Sequence, residues 1–223
     1  MFRGSYIAVF TASAVLLFPA DPAWKTKPVQ QWDEQDAKQV LADSPWVKRA
    51  VVAVLPELTA QQRREGGATA GGRGIGMKGL NGGVAQPTKL VAPITIRWES
   101  AFPIRAAELK AREIGAPDWD GEAYVLAVYD VPDLKVASNT KLLATELKQA
   151  AVLKRAGKKD VHPSNVELMQ QQNGLSTVAF VFPRSEEITL GDQRIEFDAQ
   201  INRLSLAQYF FPSEMEFEGK LQL

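Results

Sequence analysis

Apolar and polar positions recur along this chain with two different periods, and the changes of period mark its elements. In residues 32–43 (WDEQDAKQVLAD), Ala37, Val40 and Leu41 fall on one helical face; Asp33 stands where it caps the first turn and Asp36 adds negative charge there. Ser44-Pro45 ends that helix, because the residue before a proline is pushed out of the helical region. Residues 47–55 (VKRAVVAVL) are β-branched enough to predict a strand. Further on, Leu90, Ala92, Ile94, Ile96 and Trp98 alternate with Val91, Pro93, Thr95 and Arg97, a half-buried strand. Pro93 has no ladder donor, which predicts an edge or a bulge for it. A helix capped by Ser100 takes Pro103 in its first turn, buries Ile104, Ala107, Ala111 and Ile114, and stops at Gly115.

Residues 123–131 (AYVLAVYDV) are apolar nearly throughout, as in a central strand covered on both faces. Leu143, Leu147, Ala150 and Ala151 mark a helix that begins near Ser138 or Asn139 and closes before Gly157. Strands are predicted over 161–171 and 177–182, and after the Gly191-Asp192 turn signal within 188–197. A last alternating stretch, 215–223, puts Met215, Phe217, Leu221 and Leu223 in one phase. Strands near both ends with helices between them predict an α+β fold: one domain, mostly antiparallel sheet, with two to three helices packed on it.

Residues 65–83 interrupt this order. They hold nine of the sixteen glycines and few large apolar residues, too little to offset their ordering entropy, so 64–86 is expected to be a flexible loop. It either links two domains or forms an overgrown hairpin tip. The forty or so residues before it are too few for an independent core, which favours the hairpin and a single domain over 24–223.

The N-terminus adds an address. Arg3 precedes an apolar run, residues 7–18 (IAVFTASAVLLF), which Pro19 to Ala23 break: the order of a signal peptide, assigned to 1–23. About twelve apolar residues make roughly 18 Å of helix, too short for a hydrocarbon core of ~30 Å. The expected location is periplasmic or extracellular, with membrane contact only through an uncleaved N-terminal segment. Lys+Arg and Asp+Glu both number 26, and this near-neutral balance argues against nucleic acid as a partner. The chain has no cysteine, which removes thiol catalysis and thiolate metal sites, and one histidine, His162.

Few motifs carry chemistry. Gly74-Ile75-Gly76-Met77-Lys78-Gly79 matches G-x-G-x-x-G but lacks the strand before and helix after that a dinucleotide site needs. A serine activated by His162 and oriented by Asp160 or another acid is the one triad the chain could build; a turn or strand histidine beside Pro163 is the ordinary reading. Asp118 to Glu122 (DWDGE) starts like a calcium loop but lacks the closing ligands, and reads as a surface turn. No catalytic residue, cofactor or metal is assigned. The tryptophans have two readings: Trp24, Trp32 and Trp46 clamp the N-terminal helix onto the sheet, or, with Trp119, they offer an aromatic patch to an envelope or extracellular partner.

The motif W-x-x-x-D-A-x-x-V-L-x-D-S-P-W over 32–46, the glycine-rich insert, I-R-W-E-S-A at 96–101, A-V-L-K-R-A-G-K-K at 151–159, F-V-F-P-R-S at 180–185, I-T-L at 188–190 and F-E-G-K-L-Q-L at 217–223 belong together. In this combination the chain resembles a family of exported acidobacterial proteins of uncharacterised activity. The resemblance spans nearly all of 24–223 and so implies one domain; it implies no mechanism. The functional expectation is an exported, non-enzymatic binding or envelope-associated module. The alternatives are a metal-free hydrolase with paired carboxylates acting on polysaccharide or peptide, and an assembly protein docking through its aromatic helix or glycine-rich loop. If export is right, the protein recovered from its host will have a mass beginning near Asp21 or Trp24; a full-length mass in the membrane fraction would instead make the first segment an anchor.

Overall fold

Asp33 starts the longest N-terminal helix as its position predicts. Its Oδ1 accepts from the Asp36 N–H at 2.7 Å, and the Asp36 carboxylate accepts back from the Asp33 N–H at 3.2 Å, a reciprocal capping box. The structure, a computed structural model, describes residues 21–54, 94–113, 121–132, 134 and 140–223. Helices α1 (Ala23–Thr26) and α2 (Glu34–Ala42) are followed by two short strands, β1 (Val47–Ala50) and β2 (Ala53–Val54), where one strand is expected. The chain changes sheets between them: Val51 is exposed and Val52 is buried at the crossing.

Two antiparallel sheets result. The larger has the order β1–β3–β4–β7–β6, with β3 (Ile94–Trp98), β4 (Ala123–Val131), β6 (Asn165–Gln170) and β7 (Ser176–Pro183). The smaller has the order β2–β9–β8–β5, with β5 (Ala151–Arg155), β8 (Ile195–Ile201) and β9 (Leu204–Phe210). Helix α3 (Phe102–Ala111) packs on α2, and α4 (Thr140–Gln149) packs on β6, β5 and β8. The architecture is the expected α+β domain. Among the described residues no helix is long and apolar enough to cross a membrane.

Several local expectations change. β1 and β3 are antiparallel neighbours, with Val47 opposite Arg97 and Ala50 opposite Ile94, but β2, which stands between β1 and the glycine-rich segment, pairs with β9 in the other sheet. The loop 64–86 and Pro93 lie outside the described residues. β3 is paired on both sides, by β1 and β4, and is not an edge: its ladder begins at Ile94, beyond the proline. Ser100 does not cap α3, whose N-cap is Ala101; its hydroxyl accepts from the Val125 N–H at 3.0 Å. The helix ends where Arg112 adopts φ 53°, before Gly115 is reached. Ala151 opens β5 rather than closing a helix, because its neighbours pair with β8 from Ala199 to Ile195. No element is expected over 198–214, yet β9 lies there, joined to β8 through Asn202, whose positive φ suits the two-residue turn. The last stretch folds back on itself as β10 (Glu216–Phe217) and β11 (Lys220–Leu221), turning at Glu218-Gly219 with φ 50° and 73°.

The inner faces of the sheets share one aromatic core. The Phe180 and Phe182 rings of β7 meet Phe197 of β8 at 5.5 and 6.2 Å, and Trp98 of β3 meets Phe210 of β9 at 5.2 Å, all near edge-to-face. Residues on either side of α2 and the C-terminal segment join this core together. Trp32 sits edge-on to Phe217 at 5.6 Å, and the fully buried Trp46 donates its indole N–H to the Gln222 carbonyl at 2.7 Å. Trp46→Phe should therefore cost about 1–3 kcal/mol, by leaving the Gln222 carbonyl without its donor. Trp46→Ala should cost about 3–5 kcal/mol. Urea unfolding of the two variants measures both, and equal stabilities for wild type and Trp46→Phe would mean that the indole bond does not clamp the C-terminal segment.

Candidate functional site

The alternation of β3 sends Ile94, Ile96 and Trp98 into the core and leaves Thr95 and Arg97 on the outer face of the larger sheet. Cross-strand register places Val47 and Arg49 of β1, Ala127 and Tyr129 of β4, Thr177 of β7 and Met169 of β6 on that same face. A groove of about 1040 Å³ lies over it. Its floor includes Thr95, Arg97, Tyr129, Met169 and Thr177; Lys38, Leu41 and Ala42 of α2 with Ala111 and Glu113 at the end of α3 form one wall. The β6–β7 turn, Gln170-Gln171-Gln172-Asn173, forms another. Asp130 joins the lining from a bulge in β4, where its φ is 62°.

Behind the α3 wall is a buried ionic cluster. Arg97 is 4% exposed and reaches three carboxyls: Nε donates to Glu99 Oε1 at 2.8 Å, Nη1 to Glu113 Oε2 at 2.8 Å and Nη2 to Glu108 Oε1 at 3.5 Å. Its guanidinium stacks on the Tyr129 ring, 4.2 Å from the centroid. The Tyr129 hydroxyl donates to Glu99 Oε1 at 2.8 Å, and Arg105 Nη1 donates to Glu108 Oε2 at 3.1 Å. Glu99 Oε2 is fully buried and receives no hydrogen bond from any N–H or hydroxyl.

Glu108 shares the Arg97 guanidinium with Glu99. Burial, then its hydrogen bond to Glu99 and the Glu99 charge, push its carboxyl up to about 9, against the opposing pull of Arg97 and Arg105. It is therefore a carboxylic acid at neutral pH and donates to Glu99. With that proton in place two arginines face two carboxylates and the cluster is neutral. Burial and the Glu99 charge also push the Tyr129 phenol well above its ordinary range, keeping it a donor.

The residues singled out in the sequence lie elsewhere. Trp32 and Trp46 are buried in the core, against Phe217 and the Gln222 carbonyl of the C-terminal segment, and offer no surface patch. Trp24 is partly buried against the same core, and Trp119 lies outside the described residues. His162 Nδ1 donates to the Ala151 carbonyl at 2.8 Å, while the Ser164 hydroxyl donates to the Val181 carbonyl at 3.1 Å; the two are not paired as base and nucleophile. The glycine motif 74–79 and Asp118 to Asp120 lie outside the described residues. Among the described residues no group of three or more His, Cys, Asp or Glu side chains is placed to hold a metal ion.

The pattern of the sequence does not predict the groove or its cluster, though signals existed. Arg97 stands between Ile96 and Trp98 in an otherwise apolar strand. Glu108 falls four residues after Ile104, on the buried stripe of its helix. The chain matches no known family model, no curated protein and no solved structure.

The Glu108 proton makes stability depend on pH. Its folded value, about 9, is above the ordinary 4.5, so the folded state holds a proton that the unfolded chain releases. The stabilisation is complete below 4.5 and is lost as pH rises to about 9, by at most about 1.4 kcal/mol per pH unit for one proton. Glu108→Gln keeps an N–H donor toward Glu99 and has no proton to lose. It should flatten this slope and unfold at a higher temperature than wild type at about pH 8. Thermal unfolding across that range gives the answer, and parallel slopes in the two proteins would place the proton elsewhere.

Proposed function

We propose that this chain is an exported, non-enzymatic binding module that takes an uncharged polar segment of an envelope or extracellular component into the groove on its larger sheet. The observation that carries this reading is the lining: amides and hydroxyls from Thr95, Thr177 and the 170–173 turn, over a volume of about 1040 Å³, at the upper end of ligand-site sizes. Gln171 Nε2 donates to Thr177 Oγ1 at 3.0 Å and Asn173 Oδ1 accepts from the Leu175 N–H at 3.0 Å. These contacts hold the amides in place and leave Gln171 Oε1 and Asn173 Nδ2 for a ligand. The Arg97 charge is held inside the cluster, and the other charged lining residues, Lys38 and Arg49 against Glu113 and Asp130, balance in number, which fits a ligand without net charge.

Export rests on the apolar N-terminal segment and on the family resemblance. The hydrolase alternative needs two carboxyls flanking a bond, roughly 5–10 Å apart and open to substrate. Glu99 and Glu108 are only 0% and 5% exposed and closed to substrate, and of the two carboxyls in the groove lining, Glu113 and Asp130, Glu113 is tied to Arg97 at 2.8 Å, which favours binding over hydrolysis. In an assembly role the docking surface would be this groove rather than Trp32 and Trp46.

Titrating ¹⁵N-labelled protein with a panel of neutral oligosaccharides and uncharged peptides tests the reading. Perturbed amides should cluster at Thr95, Thr177 and 170–173, and Gln171→Ala should weaken binding about tenfold, or about 1.4 kcal/mol, without changing the fold. Turnover of any panel member, abolished by Glu113→Gln or Asp130→Asn, would move the protein to the hydrolase class.

A further inference from the structure

The cluster behind the groove is built around one proton, and the groove wall is attached to it. Glu99 Oε2 is buried without a hydrogen-bond partner, Glu99 and Glu108 both lie on the Arg97 guanidinium, and neither residue can turn to water where it stands. The charged and titratable groups of the cluster hold one another. Arg97 on β3 holds Glu99, Glu108 and Glu113; Arg105 on α3 holds Glu108; Tyr129 on β4 holds Glu99. On the α2 side, the Lys38 ammonium pairs with Glu34 in its own helix at 2.5 Å. Lys110, on α3, is tied to the Gln30 and Trp32 carbonyls at 3.3 and 3.1 Å. Two further cations belong to the elements around the pair: Arg49 of β1, exposed on the same sheet face opposite Thr95, and Arg112, the residue that ends α3. Loss of the proton puts two carboxylates in contact, with three negative charges against two positive within the cluster.

We propose that the Glu108 proton gates the groove. While it is present, α3 stays seated and Arg97 and Glu113 stay in register as floor and wall. When it leaves, repulsion drives Glu108 from Glu99. Because Glu108 lies within α3, the end of that helix moves with it, carrying Ala111, Glu113 and the Arg97 head group that Glu113 holds. The groove then has an acid-side shape and an alkaline shape. A ligand that fits the first binds more weakly as the proton is lost and, reciprocally, raises the affinity for that proton when bound.

This rests on the groove being the binding surface, so the test uses the folded protein alone. The Glu108 carboxyl carbon and the backbone amides of Arg97, Glu113 and Tyr129 are followed by NMR from about pH 5 to about pH 10. The expected result is one inflection common to all four in wild type. In Glu108→Gln the amides should lose it and keep their acid-side positions. In Glu99→Gln, which removes the repelling charge, the carboxyl and amide inflections should move to lower pH together. Amides that stay still while Glu108 titrates, or that keep their inflection in Glu108→Gln, would overturn the gate. A groove that moves with Glu108 but binds nothing in the panel above would overturn the binding reading and leave the gate standing.

Discussion

Arg97 sits on the outer face of the central sheet at 4% exposure, and a cation removed from water there must be matched by charge and hydrogen bonds at every donor. That requirement organises the surrounding chain. Glu99 is supplied two residues along, past Trp98, where β3 gives way to α3. Glu108 and Glu113 are supplied by α3 and its end, so the helix has to lie where its acidic side reaches the sheet. Three carboxyls exceed what Arg97 and Arg105 neutralise, and the surplus is removed by keeping Glu108 protonated. The groove exists because α3, held in this way, and α2 packed on it stand as a wall beside the open part of the same sheet face.

The opposite face of the sheet obeys a different rule. There the aromatic rings of β3 and β7 interlock with those of β8 and β9, and residues on either side of α2 and the C-terminal segment close over the edge through Trp32, Trp46, Phe217 and Gln222. One face of the sheet is thus committed to aromatic packing, while the other combines the ionic cluster with a small apolar patch of Val125, Ala127 and Ala179. The period of two in β3 separates them, with Ile96 and Trp98 on one side and Arg97 on the other.

Elements with strong local signals were legible in the chain. The Asp33 cap, the 123–131 strand and the 177–182 strand fall where their patterns put them, because capping and apolar runs act over a few residues. The misjudged elements have short or mixed signals. β9 alternates only through Leu204, Leu206 and Phe210, and Ala151 fits a helix pattern as well as a strand until β8 lies beside it. The tryptophans show the same limit. Their spacing is compatible with a clamp or a patch, and only the arrival of the C-terminal hairpin buries Trp32 and Trp46.

The sequence by itself determined the α+β class, the capped helix before β1, the strand that became the centre of the larger sheet, and the absence of thiol chemistry. Composition, caps and periodicity are local quantities. The tertiary structure alone decided that residues 47–55 divide between two sheets, that β3 runs inside a sheet, and that Arg97, Glu99, Glu108, Glu113 and Tyr129 meet beside one groove. Those outcomes depend on contacts between residues as far apart in the chain as Ala53 and Ser205, and on how many protons a buried set of charges keeps. Neither quantity is written in the order of the amino acids until the chain has folded.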